Sequence, residues 1–79
     1  MNEKKANMII KNYLMTTDSL RHLSFSIDYD GLSDEQCIFV DAVIFFNQQI
    51  LDIMKIANDN DCIVNFQSSD NLFCTIRFY

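Results

Sequence analysis

The chain has 79 residues and a formal net charge of −5. A chain of this length makes one domain that buries only roughly 60% of the surface exposed by its unfolded form. It contains no apolar run near the ~20 residues of a membrane span, and its acidity argues against direct binding to nucleic-acid phosphates, which relies on Lys and Arg.

The charge is divided along the chain. Residues 1–22 hold Lys4, Lys5, Lys11 and Arg21 against Glu3 and Asp18, a net +2. Residues 23–79 hold Lys55 and Arg77 against nine acids, a net −7. The expectation is one domain, 1–79, comprising a basic helical segment (1–17) and an acidic β-α-β-β body (23–79), with the basic segment docked on its own acidic body, on that of a neighbouring copy, or on an acidic partner. Three cysteines, Cys37, Cys62 and Cys74, make an odd set without paired spacing. The N-terminus lacks the apolar stretch and cleavage site of a secretory signal. Both features point to free thiols in a reducing, cytoplasmic setting.

Residues 4–15 read as a helix, with Ile9, Ile10, Tyr13 and Leu14 on one face and Ala6 a turn earlier. Thr16 to Ser19 end it with residues that favour turns. From Leu23 to Tyr29, Leu23, Phe25, Ile27 and Tyr29 alternate with Ser24, Ser26 and Asp28, a strand with one wet face. Asp30-Gly31 turns the chain, and Ser33 with Gln36 three residues on has the form of a capping box.

That start predicts a long helix over 34–57. Wound at about 100° per residue, Phe39, Phe46, Ile50, Ile53 and Ala57 fall on one line. Val40, Val43, Ile44, Leu51 and Met54 lie to one side, and Ile38, Ala42 and Ile56 to the other. The result is apolar around roughly two thirds of its circumference, well beyond the stripe of an ordinary surface helix. Such a helix needs cover on two sides, from residues 4–15 or from a second subunit.

Asn58-Asp59-Asn60-Asp61 stops the helix. Cys62–Phe66 and Leu72–Phe78 read as a hairpin in which Phe66 opposes Leu72, Val64 opposes Cys74 and Cys62 opposes Ile76. The fold class is therefore α+β in the order α-β-α-β-β. A three-stranded, mainly antiparallel sheet with the last strand central packs on one long helix, beside a short N-terminal helix.

The chemistry-bearing residues do not form a catalytic set. His22 is the only histidine, and its neighbours Asp18 and Ser24 make no recognised constellation. The cysteines, separated by 24 and 11 positions, lack the close paired spacing of a structural zinc site. Cys37 would sit in the first turn of the long helix, where the dipole can lower a thiol pKa, but it has no neighbouring base. The acids around DYDGLSDE form too short a run for a calcium loop, and they serve as loop and cap residues. No metal, cofactor or catalytic residue is expected.

Aromatics in polar surroundings remain once the core is allotted. Phe45 would lie between Asp41, Gln48 and Asp52 on the wet side of the long helix; Phe73 and Tyr79 would lie beside Arg77 on the outer sheet face. Asp41, Phe45, Asp52, Phe73, Arg77 and Tyr79 are accordingly the candidate partner-binding residues. The expected function is non-catalytic binding of another protein by a homodimer, without nucleic acid or membrane. One concrete form is an inhibitor of phage or mobile-element type that blocks a basic, nucleic-acid-binding partner. The alternative is a small-ligand or regulatory domain with an apolar pocket between helix and sheet.

Overall fold

The computed structural model describes residues 1–29, 35–68 and 73–79. Its elements run α1 (Glu3–Ile9), which continues as a π-helical turn (Ile10–Leu14), then β1 (Ser24–Tyr29), β2 (Gln36–Ala42), α2 (Asn47–Asp59), β3 (Val64–Ser68) and β4 (Cys74–Phe78). The strands form one antiparallel sheet in the order β1-β2-β4-β3. The molecule measures 30 × 29 × 18 Å, the thin dimension being that of a single sheet with one layer of helix.

The N-terminal helix forms where its apolar spacing places it. Asn2 caps it, its side-chain oxygen accepting from the Lys5 N–H at 2.8 Å. Ala6, Ile9 and Leu14 are fully buried. The last turn widens, so the Met15 N–H reaches the Ile10 carbonyl at 2.9 Å. The Thr16 and Thr17 hydroxyls donate to the Asn12 and Tyr13 carbonyls at 2.8 and 2.7 Å, satisfying acceptors that the widened turn leaves over. The segment docks chiefly through apolar side chains; its lysines pair with no described acid, and its charged contact with the body is made by the N-terminal ammonium. The chain start is tied to β2, because the Met1 ammonium donates to the Gln36 carbonyl and pairs with Glu35, both at 3.0 Å.

The long helix expected over 34–57 is overturned. Residues Gln36–Ala42 are a strand, and the helix spans only Asn47–Asp59. The physical reason lies in side-chain type and pairing. Ile38 and Val40 are β-branched and alternate with Cys37, Phe39 and Asp41, which suits a pleated strand. As a strand, the segment hydrogen-bonds to β1 on one side and β4 on the other. The surplus of apolar surface came from projecting two elements of different period onto one wheel. Within α2 the pattern is ordinary: Gln49, Ile53, Ile56 and Ala57 form one buried stripe.

The expected helix start fails with it, since Gln36 opens β2; the Asp30-Gly31 turn and Ser33 lie outside the described residues. The actual helix start uses half of a capping box. Phe46 has no side-chain acceptor, but Gln49 Oε1 accepts from its N–H at 2.8 Å. The stop at 58–61 holds. Asn60 Nδ2 donates to the Ile56 carbonyl at 2.8 Å, and Asp61 takes a positive φ of 54°.

The sheet has four strands rather than three. The last strand is indeed central, lying between β2 and β3, but β2 occupies the place expected for 23–29, and β1 is moved to the edge. In the C-terminal hairpin the faces are as expected and the offset is not. Val64 opposes Phe78, Phe66 opposes Ile76 and Ser68 opposes Cys74, so each β3 residue meets a partner four positions later than expected. An even slip keeps Val64, Phe66, Cys74, Ile76 and Phe78 on one face. The β2–β4 register sets Ile76 and Phe78 of β4 opposite Val40 and Ile38. All four are fully buried, together with Ile9, Leu14, Leu20 and Ile53. This cluster lies between the helices and the sheet, and leaves the other sheet face without a described helix over it.

No helix among the described residues is long and apolar enough to cross a membrane.

Candidate functional site

Two surfaces emerge from this frame, and they divide the six residues singled out in the sequence. The first is the outer face of the sheet. Strand alternation puts Ser24, Ser26 and Asp28 of β1, Phe39 and Asp41 of β2, Thr75 and Arg77 of β4, and Asn65 and Gln67 of β3 on it. The register aligns them in rows: Ser26, Phe39, Arg77 and Asn65 run across one row, and Ser24, Asp41, Thr75 and Gln67 across the next.

Arg77 is the centre of this face. Its guanidinium carbon lies 5.1 Å from the centroid of Phe39 and 5.4 Å from that of Tyr79. Its two terminal nitrogens donate to the Tyr79 hydroxyl at 2.7 Å and to Gln67 Oε1 at 3.0 Å. Stacking on aromatic faces and forked donation both suit a guanidinium, so Arg77 is held flat across the strands. One row away, the Thr75 hydroxyl donates to Asp41 Oδ1 at 2.6 Å, which fixes that carboxylate. Asp41, Arg77 and Tyr79 thus share one surface, and Phe73, 51% exposed, precedes β4 at the same parity.

Phe45 and Asp52 are elsewhere. Phe45 is in the connection between β2 and α2, not on a helix, and does not lie between Asp41 and Asp52. Asp52 faces back into the protein, accepting from the Ser19 hydroxyl at 2.5 Å and from Gln48 Nε2 at 2.9 Å.

The second surface is a cleft between the start of α2 and β3, about 400 Å³ in volume. Ile44, Phe45, Ile50, Phe66, Cys74 and Ile76 line it. Phe46 and Met54, one helical turn to either side of Ile50, stand exposed beside it. Sequence reasoning offered an apolar pocket between helix and sheet as an alternative, but it placed residues 43–46 within a long helix and so did not identify this lining. The run Val43 to Phe46, four large apolar residues just before α2, was the available signal.

None of the three cysteines forms a disulfide. Cys37 is buried in β2 and not in the first turn of a long helix, which removes the argument that rested on that helix's dipole. Burial, the largest influence, pushes the Cys62 thiol above its ordinary pKa, with Asp61 adding to the rise and Lys5 and the N-terminal ammonium opposing it. Among the described residues no cluster of three or more His, Cys, Asp or Glu side chains is arranged to hold a metal ion.

Comparison with protein-family models, with curated proteins and with solved structures found no match to this chain.

Proposed function

We propose that this protein acts by binding another protein, without chemistry of its own, and that the outer sheet face is the surface that does so. The observation carrying this reading is the ordered cluster at its centre: Arg77 stacked on Phe39 and Tyr79, fixed by Gln67, with Asp41 fixed by Thr75 beside it. Aromatic residues and arginine dominate the energetics of protein interfaces, and side chains already held in place lose little entropy on binding.

The partner is a protein with a basic rim. Residues 23–79 carry nine acids against Lys55 and Arg77, and Asp28 and Asp41 lie on this face itself. Such a field steers a positively charged partner and repels nucleic-acid phosphates. Occupying the basic groove of a nucleic-acid-binding protein, as an inhibitor of phage or mobile-element type does, is the concrete form of this activity. Cysteines outside disulfides accord with work in the cytoplasm.

The test is capture of proteins from a cell extract, with the wild-type chain compared against Phe73→Ala and Asp28→Lys, both at exposed sites. The expected result is a set of basic proteins retained by the wild type, weakened by the first variant and lost with the second. Retention unchanged by both variants would remove the outer face from consideration.

A second reading rests on the cleft. Its roughly 400 Å³ falls within the range of small-molecule sites, which supports an apolar ligand between α2 and β3. A thermal-shift screen with apolar and aromatic metabolites tests it. Stabilisation that Ile50→Lys abolishes favours this reading, and no shift with any compound counts against it.

A further inference from the structure

From the cleft and the strand beside it we infer that a second copy of this chain docks along β3, so that two sheets join into one of eight strands about a two-fold axis near Phe66. The cleft shares Gln67 and Thr75 with the outer face, but association is read by oligomeric state and so is tested apart from partner capture.

β3 is an edge strand, paired with β4 on one side. Its sequence, Val64-Asn65-Phe66-Gln67-Ser68, has no charge and no proline. Exposed edges normally carry such groups because free N–H and C=O groups invite another strand. The opposite edge, β1, carries Asp28. β3 is therefore the edge left open to pairing.

Its occupant is a second copy because the strand and its surroundings are self-complementary. An antiparallel pair about a two-fold axis at Phe66 sets each Phe66 against its equivalent on the cleft side. Asn65 then opposes Gln67 of the second copy on the outer side, where two neutral amides can exchange hydrogen bonds. Two-fold dimers are built on such self-matching patches.

The area agrees. Ile44, Phe46, Met54 and Phe66 are 59%, 64%, 51% and 49% exposed. Together they present roughly 500 Å² of mostly apolar surface, within the range of the largest patch of a typical monomer. A standard interface takes about 800 Å² from each partner, a little over half of it apolar. The patch is large enough to supply the apolar part of such an interface, with the β3 backbone supplying polar area. Charge acts against the association, since each copy carries −5, so screening by salt should tighten it.

Sedimentation velocity of the purified chain from 1 to 200 µM, at 20 and 300 mM salt, tests this. The expected result is a monomer–dimer equilibrium that shifts several-fold toward dimer at the higher salt. Phe66→Arg puts two like charges at the axis and should yield monomer while circular dichroism stays native. Phe66→Cys provides a reading independent of that variant's folding: mild oxidation should give a covalent dimer whose disulfide maps to position 66 in both copies. A wild-type chain that remains monomeric at 200 µM overturns the inference. So does a dimer that Phe66→Arg leaves intact, or a cross-link that forms only through Cys62 or Cys74.

Discussion

Asp52 accepts a hydrogen bond from the Ser19 hydroxyl at 2.5 Å, and about one helical turn earlier Gln49 Nε2 donates to the Ser19 carbonyl at 3.0 Å. One residue of the 15–23 connection is thus gripped through both its polar groups by neighbouring side chains of α2. Gln49 also accepts from the Phe46 N–H, so this buried amide joins the helix start to the connection. Gln49→Ala should cost about 2 kcal/mol, because it orphans a donor and an acceptor, and Asp52→Ala about 1 kcal/mol. Urea unfolding of the two variants checks the order; equal losses would mean that Gln49 has no such joining role.

The two elements within 36–59 separate cleanly by mutation. Ile38 is fully buried in β2, and Ile38→Ala should destabilise by about 3 kcal/mol, the usual range for a large core aliphatic. Leu51 is mostly exposed on α2, and Leu51→Ala should change monomer stability by less than ~0.5 kcal/mol. Measurement at low micromolar concentration keeps association out of the comparison.

Arg77→Lys should lower stability by about 1 kcal/mol. A lysine keeps the charge but loses the flat stack on Phe39 and Tyr79 and the forked donation to Tyr79 and Gln67. Thermal unfolding of this variant beside Arg77→Ala checks the assignment. If Lys matches the wild type, charge alone suffices at the centre of the outer face.

The Cys62 thiol should react slowly with iodoacetamide in the native protein and faster once unfolded. Its raised pKa, caused mainly by burial, leaves less thiolate at a given pH. The linkage has a definite sign. Below the ordinary thiol pKa both states hold the proton and nothing changes. Above it the unfolded state ionises first, so native stability should fall as pH rises through that value, and Cys62→Ser should flatten the decline. A decline identical in wild type and variant would assign it to other groups.

Much of this architecture is legible in the residues because it is written locally. The helix near 4–15, the alternation from Leu23 to Tyr29 and the stop at Asn58 each follow from neighbours in sequence. The hairpin faces are legible because parity survives an even slip, whereas the offset is not, because Val64 and Phe66 meet apolar partners in the expected pairing and in the observed one alike. The failure at 36–46 is of a different kind. Phe39 and Phe46 match a helical line by spacing, while Ile38 and Val40 match a strand by shape, and only pairing with β1 and β4 decides between them. The excess of apolar surface on the supposed helix was the sign that two periods had been merged. On the outer face, Arg77, Tyr79 and Phe73 are legible from alternation. Asp41 joins them, and Phe45 and Asp52 leave them, only because β2 is a strand.

The strand order also dictates the route by which the chain can close. β1 with β2, and β3 with β4, are pairs between sequence neighbours, the nearest partners being Tyr29 with Gln36 and Ser68 with Cys74. The ladder between β2 and β4 instead joins Ile38 to Phe78, forty positions apart. Two hairpins can therefore form early on short loops, and the entropic barrier falls on their encounter, with α2 tethering one to the other. Substitutions along the Ile38–Phe78 seam should weigh on the speed of folding, whereas those at the outer edges of β1 and β3 should act chiefly on the rate of unfolding.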